Sequence, residues 1–251
     1  MADVAGAVDW NALDGVLFDL DGVLTPTALI HERAWTSAFD EFLAARAPDQ
    51  RRFSADDYLR YVDGRPRFDG VRSFVRSRGI DLPDGTTDDP PGHDSVGALG
   101  NAKNEAFRQI LRRDGIAPYP GSARLLDALD RRGTSMAVVS SSRNTPEVLD
   151  AAGLTERFGV VVDGNVLAAE GLPGKPAPDM FLLAADRLGV DPARSMVVED
   201  AIAGVAAGRD GAFGVVVGVD RGATREALLA NGATVVVDDL AELVTGPDGT
   251  R

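Results

Sequence analysis

The hydrophobic residues of this chain form short, uninterrupted runs that are separated by longer stretches with a helical period. The runs are rich in valine, and each is too short for a helix. Runs without alternation are typical of strands buried on both faces, as in a parallel sheet. They occupy residues 16–18, 136–139, 160–162, 196–198, 215–217 and 235–237.

Between the later runs, apolar residues recur at helical spacing. The stretches 124–132 and 178–188 each present one apolar side, and each is followed by glycine, a common C-terminal cap. Strand and helix alternate from about residue 122 to 240, which predicts βαβ units. The predicted fold class is therefore α/β, a Rossmann-like doubly wound parallel sheet. Such sheets bind ligands at the carboxyl ends of their strands.

The segment 28–105 departs from this alternation. Its periodic stretches, such as 34–43, have helical spacing, and it contains no comparable valine run. We therefore predict a Rossmann-like catalytic core formed by residues 1–27 and 106–251, with a helical cap at 28–105. Within the cap, residues 79–94 are rich in Gly, Pro and Asp and predict a loop.

Composition narrows the classes of partner. The 251 residues include 26 basic and 39 acidic ones, a formal net charge of −13, and no cysteine. We therefore expect no nucleic-acid partner, no thiol catalysis and no cysteine metal site. The N-terminal residues do not resemble a signal peptide, and no apolar stretch has the length of a membrane span. We expect a cytoplasmic monomer with no membrane partner.

Polar side chains with catalytic potential follow three of the predicted strands. Asp19 and Asp21 follow the first, Ser140 follows the second, and the pair 199–200 (Glu-Asp) follows the fourth. Two carboxylates two residues apart repel each other unless a cation or a proton offsets their charge. Lys175, one of only two lysines in the chain, lies in the segment GKPAPD, where prolines restrict the backbone. Taken singly, each feature could equally be a turn, a helix cap or a solvated charge.

Together and in this order, these motifs resemble those of the haloacid dehalogenase superfamily of phosphoryl-transfer enzymes. The resemblance implies that Asp19 attacks phosphorus and becomes an aspartyl phosphate, while Asp21 acts as general acid and base. An aspartate can act in this way only if the charge of the phosphate is offset, which Mg²⁺ and a lysine can do. A compact ammonium suits a crowded site better than a planar guanidinium. The implied phosphate-binding residues are Ser140, Ser141 and Lys175, and the implied Mg²⁺ ligands are Asp19, Asp21 through its carbonyl, Glu199 and Asp200.

The cap is similar to that of the β-phosphoglucomutase subfamily. This resemblance implies a mutase that interconverts β-glucose 1-phosphate and glucose 6-phosphate through a sugar bisphosphate. A mutase needs a second phosphate site, and Arg67 and the loop after the second strand offer hydrogen-bond donors for it. The resemblance also implies that His31 forms a hydrogen bond near Asp21. The implied substrate-binding residues are Thr27, His31, Gly64, Arg67, Lys103, Ser142, Arg143 and Asn144.

Two other functions stay open at this point. One is a Mg²⁺-dependent phosphatase of sugar phosphates in the same superfamily, and the other is a phospho-accepting regulatory module. The regulatory module requires neither a cap nor an acid at position 21. Three residues depart from the subfamily pattern, so the sugar phosphate is not assigned from the sequence. They are Pro26, Asp63 and Gly70.

Overall fold

The computed structural model describes residues 8–62 and 65–244. The chain divides into two compact units. The core unit consists of Met1–Pro26 and Ile116–Arg251, and the insert unit is Thr27–Gly115. In the part of the chain that the structure describes, no helix has both the length and the apolar character needed to cross a membrane.

The core unit is built on one six-stranded sheet in which every neighbouring pair is parallel, as the valine-rich runs predict. The strand order is β3-β2-β1-β4-β5-β6. Strands β2 and β3 lie on one side of β1 and strands β4 to β6 lie on the other, so the order of the strands reverses beside β1. Ligand sites of doubly wound sheets lie at such a reversal. The strands are β1 (Gly15–Phe18), β2 (Ser135–Val139), β3 (Val160–Val162), β4 (Ser195–Glu199), β5 (Val215–Val219) and β6 (Val235–Val237).

The insert unit is helical, as predicted, but it ends later than the sequence indicated. Its helices are α1 (Thr27–Arg46), α2 (Ala55–Tyr61), α3 (Arg67–Ser77) and α4 (Val96–Asp114). Because α4 continues without a break to Asp114 and Gly115 follows it at a φ of 66°, the unit extends to 115 rather than to the predicted 105. Its other boundary lies at residue 27 rather than 28.

Six further α-helices lie in the described part of the core unit. Helix α8 packs on the sheet, where its Phe181 is buried with Leu17 of β1 and Val197 of β4. The two predicted glycine caps are present, since Gly133 and Gly189 follow their helices with φ values of 67° and 69°. The helices are α5 (Pro120–Arg132), α6 (Thr145–Ala151), α7 (Gly164–Glu170), α8 (Asp179–Leu188), α9 (Ile202–Asp210) and α10 (Arg225–Ala230).

The insert unit has its own aromatic core. Phe39 of α1 lies 4.0 Å from Phe74 of α3 and 5.0 Å from Trp35, measured between ring centroids. The residues between α3 and α4 form neither helix nor strand, as predicted for 79–94. This loop packs tightly on α4, because a Cβ at Gly97 would lie 1.9 Å from the carbonyl oxygen of Thr86.

A buried carboxylate joins three segments of the insert unit. Asp57 accepts hydrogen bonds from both terminal nitrogens of Arg51, each at 2.7 Å, and from Arg78 at 2.8 Å. It also accepts from the hydroxyl of Ser54 at 2.9 Å and completes a capping box at the start of α2. Burial alone would raise the pKa of Asp57, but Arg51, Ser54 and Arg78 together hold it below the usual value. The carboxylate is therefore ionised at neutral pH.

We expect Asp57→Ala to lower the free energy of unfolding of the insert unit by about 3 kcal/mol, because breaking a buried pair leaves an uncompensated charge. The charge left behind is that of Arg78, whose side chain is 8% exposed. Urea denaturation followed by circular dichroism measures the loss. The matched control is Asp56→Ala, which removes an exposed pair with Arg60 and should cost about 0.5 kcal/mol. Equal losses in the two variants would contradict the assignment.

Candidate active site

The site begins where β1 ends. Asp19 follows the last residue of β1, and its backbone N–H donates to the carbonyl of Val198 in β4 at 2.9 Å. Three residues after Asp19 the chain turns at Gly22, which has a φ of 82°. A Cβ at this position would also lie 2.0 Å from Oδ2 of Asp200. Glycine is therefore needed at position 22 both for the turn and for the close approach of Asp200.

Lys175 lies at the centre of the site. Its ammonium donates to Oδ1 of Asp19 and to Oε1 of Glu199, each at 2.6 Å, and to the carbonyl of Val139 at 2.9 Å. These three acceptors match the three N–H groups of an ammonium. Burial alone would lower the pKa of Lys175, but the facing carboxylates of Asp19 and Glu199 outweigh it and raise the pKa above the usual value. The lysine is therefore a fixed positive charge beside Asp19.

Glu199 connects Lys175 to the segment after β4. Its Oε2 accepts from the backbone N–H groups of Asp200 and Ala201, each at 3.1 Å, while Oε1 accepts from Lys175. Helix α9 approaches this carboxylate so closely that a Cβ at Gly204 would lie 1.8 Å from Oε1. Both oxygens of Glu199 thus bind protein groups, and the side chain holds Lys175 and the start of the next segment in place.

The carboxylates of the core unit form a cluster that fits a metal ion. Asp19, Glu199 and Asp200 each offer an oxygen, and these oxygens lie within 4.8 Å of one another. Burial raises the pKa of Asp19 well above its usual value, and Glu199, Asp21 and Asp200 add to the rise against the effect of Lys175. Burial, with Glu199 and Asp21, also raises the pKa of Asp200 to about 7. A divalent cation with oxygen ligands would offset this excess of negative charge.

Ser140 brings the end of β2 to the same place. The residue is buried, its N–H donates to Val162 of β3, and its hydroxyl lies 3.5 Å from Oδ2 of Asp21. The hydroxyl also accepts from the N–H of Ser142 at 3.1 Å. Ser140 therefore lies beside the predicted acid–base residue and orders the loop that follows it.

The loop after Ser140 combines buried and exposed side chains. Asn144 is buried and its N–H donates to the hydroxyl of Ser142 at 3.2 Å, whereas Ser141 and Arg143 are exposed. The side-chain amide of Asn165, at the start of α7, donates to the carbonyl of Arg143 at 3.1 Å. This support from α7 was not predicted from the sequence, although Asn165 lies just after the helix-capping residue Asp163.

In the insert unit, the buried Lys103 pairs with the partly buried His31. Nζ of Lys103 lies 2.6 Å from Nδ1 of His31, and both pack on the ring of Phe107. An ammonium has no acceptor, so Nδ1 accepts and the neutral imidazole carries its proton on Nε2. Burial lowers the pKa of His31 well below its usual value, and Lys103 and Arg67 add to the effect. In the structure, His31 therefore accepts a hydrogen bond from Lys103. The hydrogen bond expected for His31 near Asp21 stays a prediction.

The remaining predicted insert residues lie at helix starts. Thr27 is the first residue of α1 and is buried, and Arg67 is the first residue of α3. Nη1 of Arg67 donates to Oδ1 of Asn101 at 3.3 Å. Asn101, which was not predicted from the sequence, also donates its amide to two carbonyls of the 79–94 loop. Gly64 and Asp63 lie outside the described residues.

Comparison with known proteins identifies the family of the chain. Residues 13–211 match the family model of haloacid dehalogenase-like hydrolases. Proteins of Mycobacterium bovis and Mycobacterium tuberculosis named β-phosphoglucomutase are 51% identical over 236 residues, which cover 91% of this chain and 90% of theirs.

Solved structures share the fold. A structure from Thermotoga maritima aligns with a TM-score of 0.73 at 24% identity and covers 92% of this chain and 97% of that one. CbbY from Rhodobacter sphaeroides, in complex with xylulose 1,5-bisphosphate, aligns with a TM-score of 0.69 at 25% identity and covers 95% of this chain and all of that one. The chain belongs to the haloacid dehalogenase-like hydrolase family and, within it, to the β-phosphoglucomutase-like subfamily.

Proposed function

We propose that this protein interconverts β-glucose 1-phosphate and glucose 6-phosphate through a sugar bisphosphate and an aspartyl phosphate on Asp19. The observation that carries the proposal is the ammonium of Lys175, held 2.6 Å from the carboxylate of Asp19 at the carboxyl edge of β1. The 51% identity to β-phosphoglucomutases over nine-tenths of both chains supports a mutase rather than another activity of the family.

Each phosphoryl transfer uses two carboxylates. A carboxylate oxygen of Asp19 forms a bond to phosphorus while the bond from phosphorus to the sugar oxygen breaks, and Asp21 donates a proton to that oxygen. In the reverse transfer, Asp21 takes the proton of a sugar hydroxyl as that hydroxyl attacks the aspartyl phosphate. Addition at O6 of β-glucose 1-phosphate gives the bisphosphate, and removal of its 1-phosphate gives glucose 6-phosphate and restores the aspartyl phosphate.

We propose Mg²⁺ as the metal because the available donors are all oxygens. Asp19 and Asp200 would hold it together with the carbonyl of Asp21, and Glu199 would contribute mainly by fixing Lys175, since both oxygens of Glu199 already accept hydrogen bonds. When bound, the ion offsets negative charge on the transferring phosphoryl group. Lys175 supplies a second positive charge, which lies beside the nucleophilic carboxylate of Asp19.

The other predicted residues would bind the rest of the substrate. Ser140 and Ser141 would contact the transferring phosphoryl group with Lys175. Arg67 has a guanidinium that can bind a phosphate with two parallel hydrogen bonds, which suits the phosphate that is not transferred. The complete proposed set for this second phosphate and the sugar is Thr27, His31, Gly64, Arg67, Lys103, Ser142, Arg143 and Asn144.

We expect β-glucose 1-phosphate, supplied with Mg²⁺ and a trace of glucose 1,6-bisphosphate, to yield glucose 6-phosphate without stoichiometric free phosphate. Coupled oxidation of glucose 6-phosphate and a phosphate assay follow the two products in one sample. Asp19→Asn should abolish both signals because it removes the nucleophile. Free phosphate as the main product would replace the mutase with the sugar-phosphate phosphatase.

We expect Lys175→Arg to lower kcat by about 100-fold, which is the usual loss when one charge-stabilising donor is removed. A planar guanidinium cannot place one nitrogen within 2.6 Å of both Asp19 and Glu199 and also reach Val139. Lys175→Met, which removes the charge and keeps the length, should lose at least as much. Wild-type activity in a folded Lys175→Arg enzyme would contradict the need for a compact ammonium.

We expect Arg67→Ala to lower kcat/KM for mutase turnover by about 10- to 100-fold, in line with the loss of charged hydrogen bonds. Transfer from a small aryl phosphate, which has no second phosphate, should hardly change. The matched control is Arg76→Ala, on the exposed side of the same helix, which should leave both reactions unchanged. An equal loss with both substrates would show that Arg67 does not bind the second phosphate.

A further inference from the structure

Arg221 lies just beyond the end of β5 and reaches back to the turn that follows Asp21. Its Nη1 donates to the carbonyls of Gly22 at 3.1 Å and Val23 at 3.3 Å. Its Nη2 donates to Oδ2 of Asp239 at 3.1 Å. One guanidinium therefore connects the turn after β1 with the segment after β6.

The same turn is held from a second direction. The guanidinium carbon of Arg221 lies 3.7 Å from the ring centroid of Tyr119, and the N–H of Tyr119 donates to the carbonyl of Leu24 at 2.9 Å. The hydroxyl of Ser122 donates to the carbonyl of Val23 at 2.7 Å. The planar guanidinium lies against the tyrosine ring while its edge faces the carbonyls, an arrangement that lysine cannot reproduce.

The turn has backbone hydrogen bonds of its own, from the N–H of Gly22 to the carbonyl of Thr25 and from the N–H of Leu24 to the carbonyl of Leu20, each at 2.9 Å, and Arg221 adds a restraint from outside it. Gly22 has no side chain to limit its backbone, and it adopts a φ of 82°. Its peptide is attached directly to Asp21, so rotation at Gly22 moves the backbone that carries the Asp21 carboxylate. The hydrogen bonds from Arg221 to the next two carbonyls oppose that rotation.

We propose that Arg221 is a positioning residue for Asp21: it holds the 22–23 carbonyls so that the Asp21 carboxylate meets the sugar oxygen during proton transfer. The inference rests on the proposed acid–base role of Asp21. It differs from a purely structural role, because loss of the restraint should slow the steps that need a proton from Asp21 far more than the steps that do not. Phosphoryl transfer to Asp19 from a donor with a good leaving group needs no such proton.

The test compares two phosphoryl donors in a single turnover, glucose 1,6-bisphosphate and 4-nitrophenyl phosphate. Arg221→Ala should slow transfer from the sugar bisphosphate by about 10- to 100-fold, the scale expected for a misplaced catalytic group. The first-turnover release of 4-nitrophenolate should fall by no more than about 3-fold, because this leaving group departs without a proton. The rates of Arg221→Lys should lie between those of Arg221→Ala and the wild type. If Arg221→Ala does not fold, the two donors are compared with Arg221→Lys instead.

Two further variants separate the possible outcomes. Arg225→Ala is the matched control, because Arg225 also binds a backbone carbonyl and an aspartate, but these belong to Val236 of β6 and to Asp238 just after it rather than to the 22–23 turn. It should leave both rates unchanged. Asp21→Asn should show the same selective effect in full, with transfer from glucose 1,6-bisphosphate slowed far more than transfer from 4-nitrophenyl phosphate. If Asp21→Asn shows the difference and the Arg221 variants do not, the inference about Arg221 is overturned and the proposed function stands. If Asp21→Asn shows no difference, the acid–base role of Asp21 and the inference fall together.

Discussion

A lysine ammonium buried between two carboxylates is the constraint on which the core unit depends. Removing such charges from water costs several kcal/mol per ion, and good geometry must offset that cost. Lys175 meets the requirement with three acceptors, supplied by Asp19, Glu199 and the carbonyl of Val139. These acceptors follow or end strands β1, β4 and β2, so the bonds hold the carboxyl ends of three neighbouring strands in one arrangement.

Close backbone approach makes this arrangement possible. Asp200 lies against Gly22, and Glu199 lies against Gly204, at distances that a Cβ would not permit. Both glycines let a carboxylate come nearer to the backbone than any side chain would allow. The acidic cluster is therefore compact enough to bind a cation, and the repulsion among its members is what a bound cation would relieve.

The insert unit organises its charges in a different way. Asp57 satisfies two arginines and a capping serine within the helical bundle, which is a structural use of a buried charge. Lys103 instead shares a buried position with a neutral His31 and aromatic rings.

Local patterns in the sequence were sufficient for much of the fold and for the centre of the site. Valine-rich runs identify the six strands because parallel strands are buried on both faces, and glycines mark the ends of α5 and α8 because they adopt positive φ. The motifs around Asp19, Ser140 and Asp200 could be predicted for the same reason, since each lies next to its own strand, whereas Lys175 was identified by its GKPAPD segment. The end of the insert was placed too early, at residue 105, although Gly115 marks the end of α4 with a positive φ in the same way.

Tertiary structure alone decided which distant residues support the site. Arg221 donates to a carbonyl 199 positions earlier in the chain, and Asn101 joins Arg67 to a loop. In a chain where 24 of the 26 basic residues are arginine, nothing local distinguishes Arg221 from an arginine that faces solvent. The sequence by itself determined which polar residues lie at the strand ends, because the strand pattern depends on neighbours along the chain. The contacts that hold these residues in place exist only after the strands have paired. Only the folded structure therefore shows which distant residues make them.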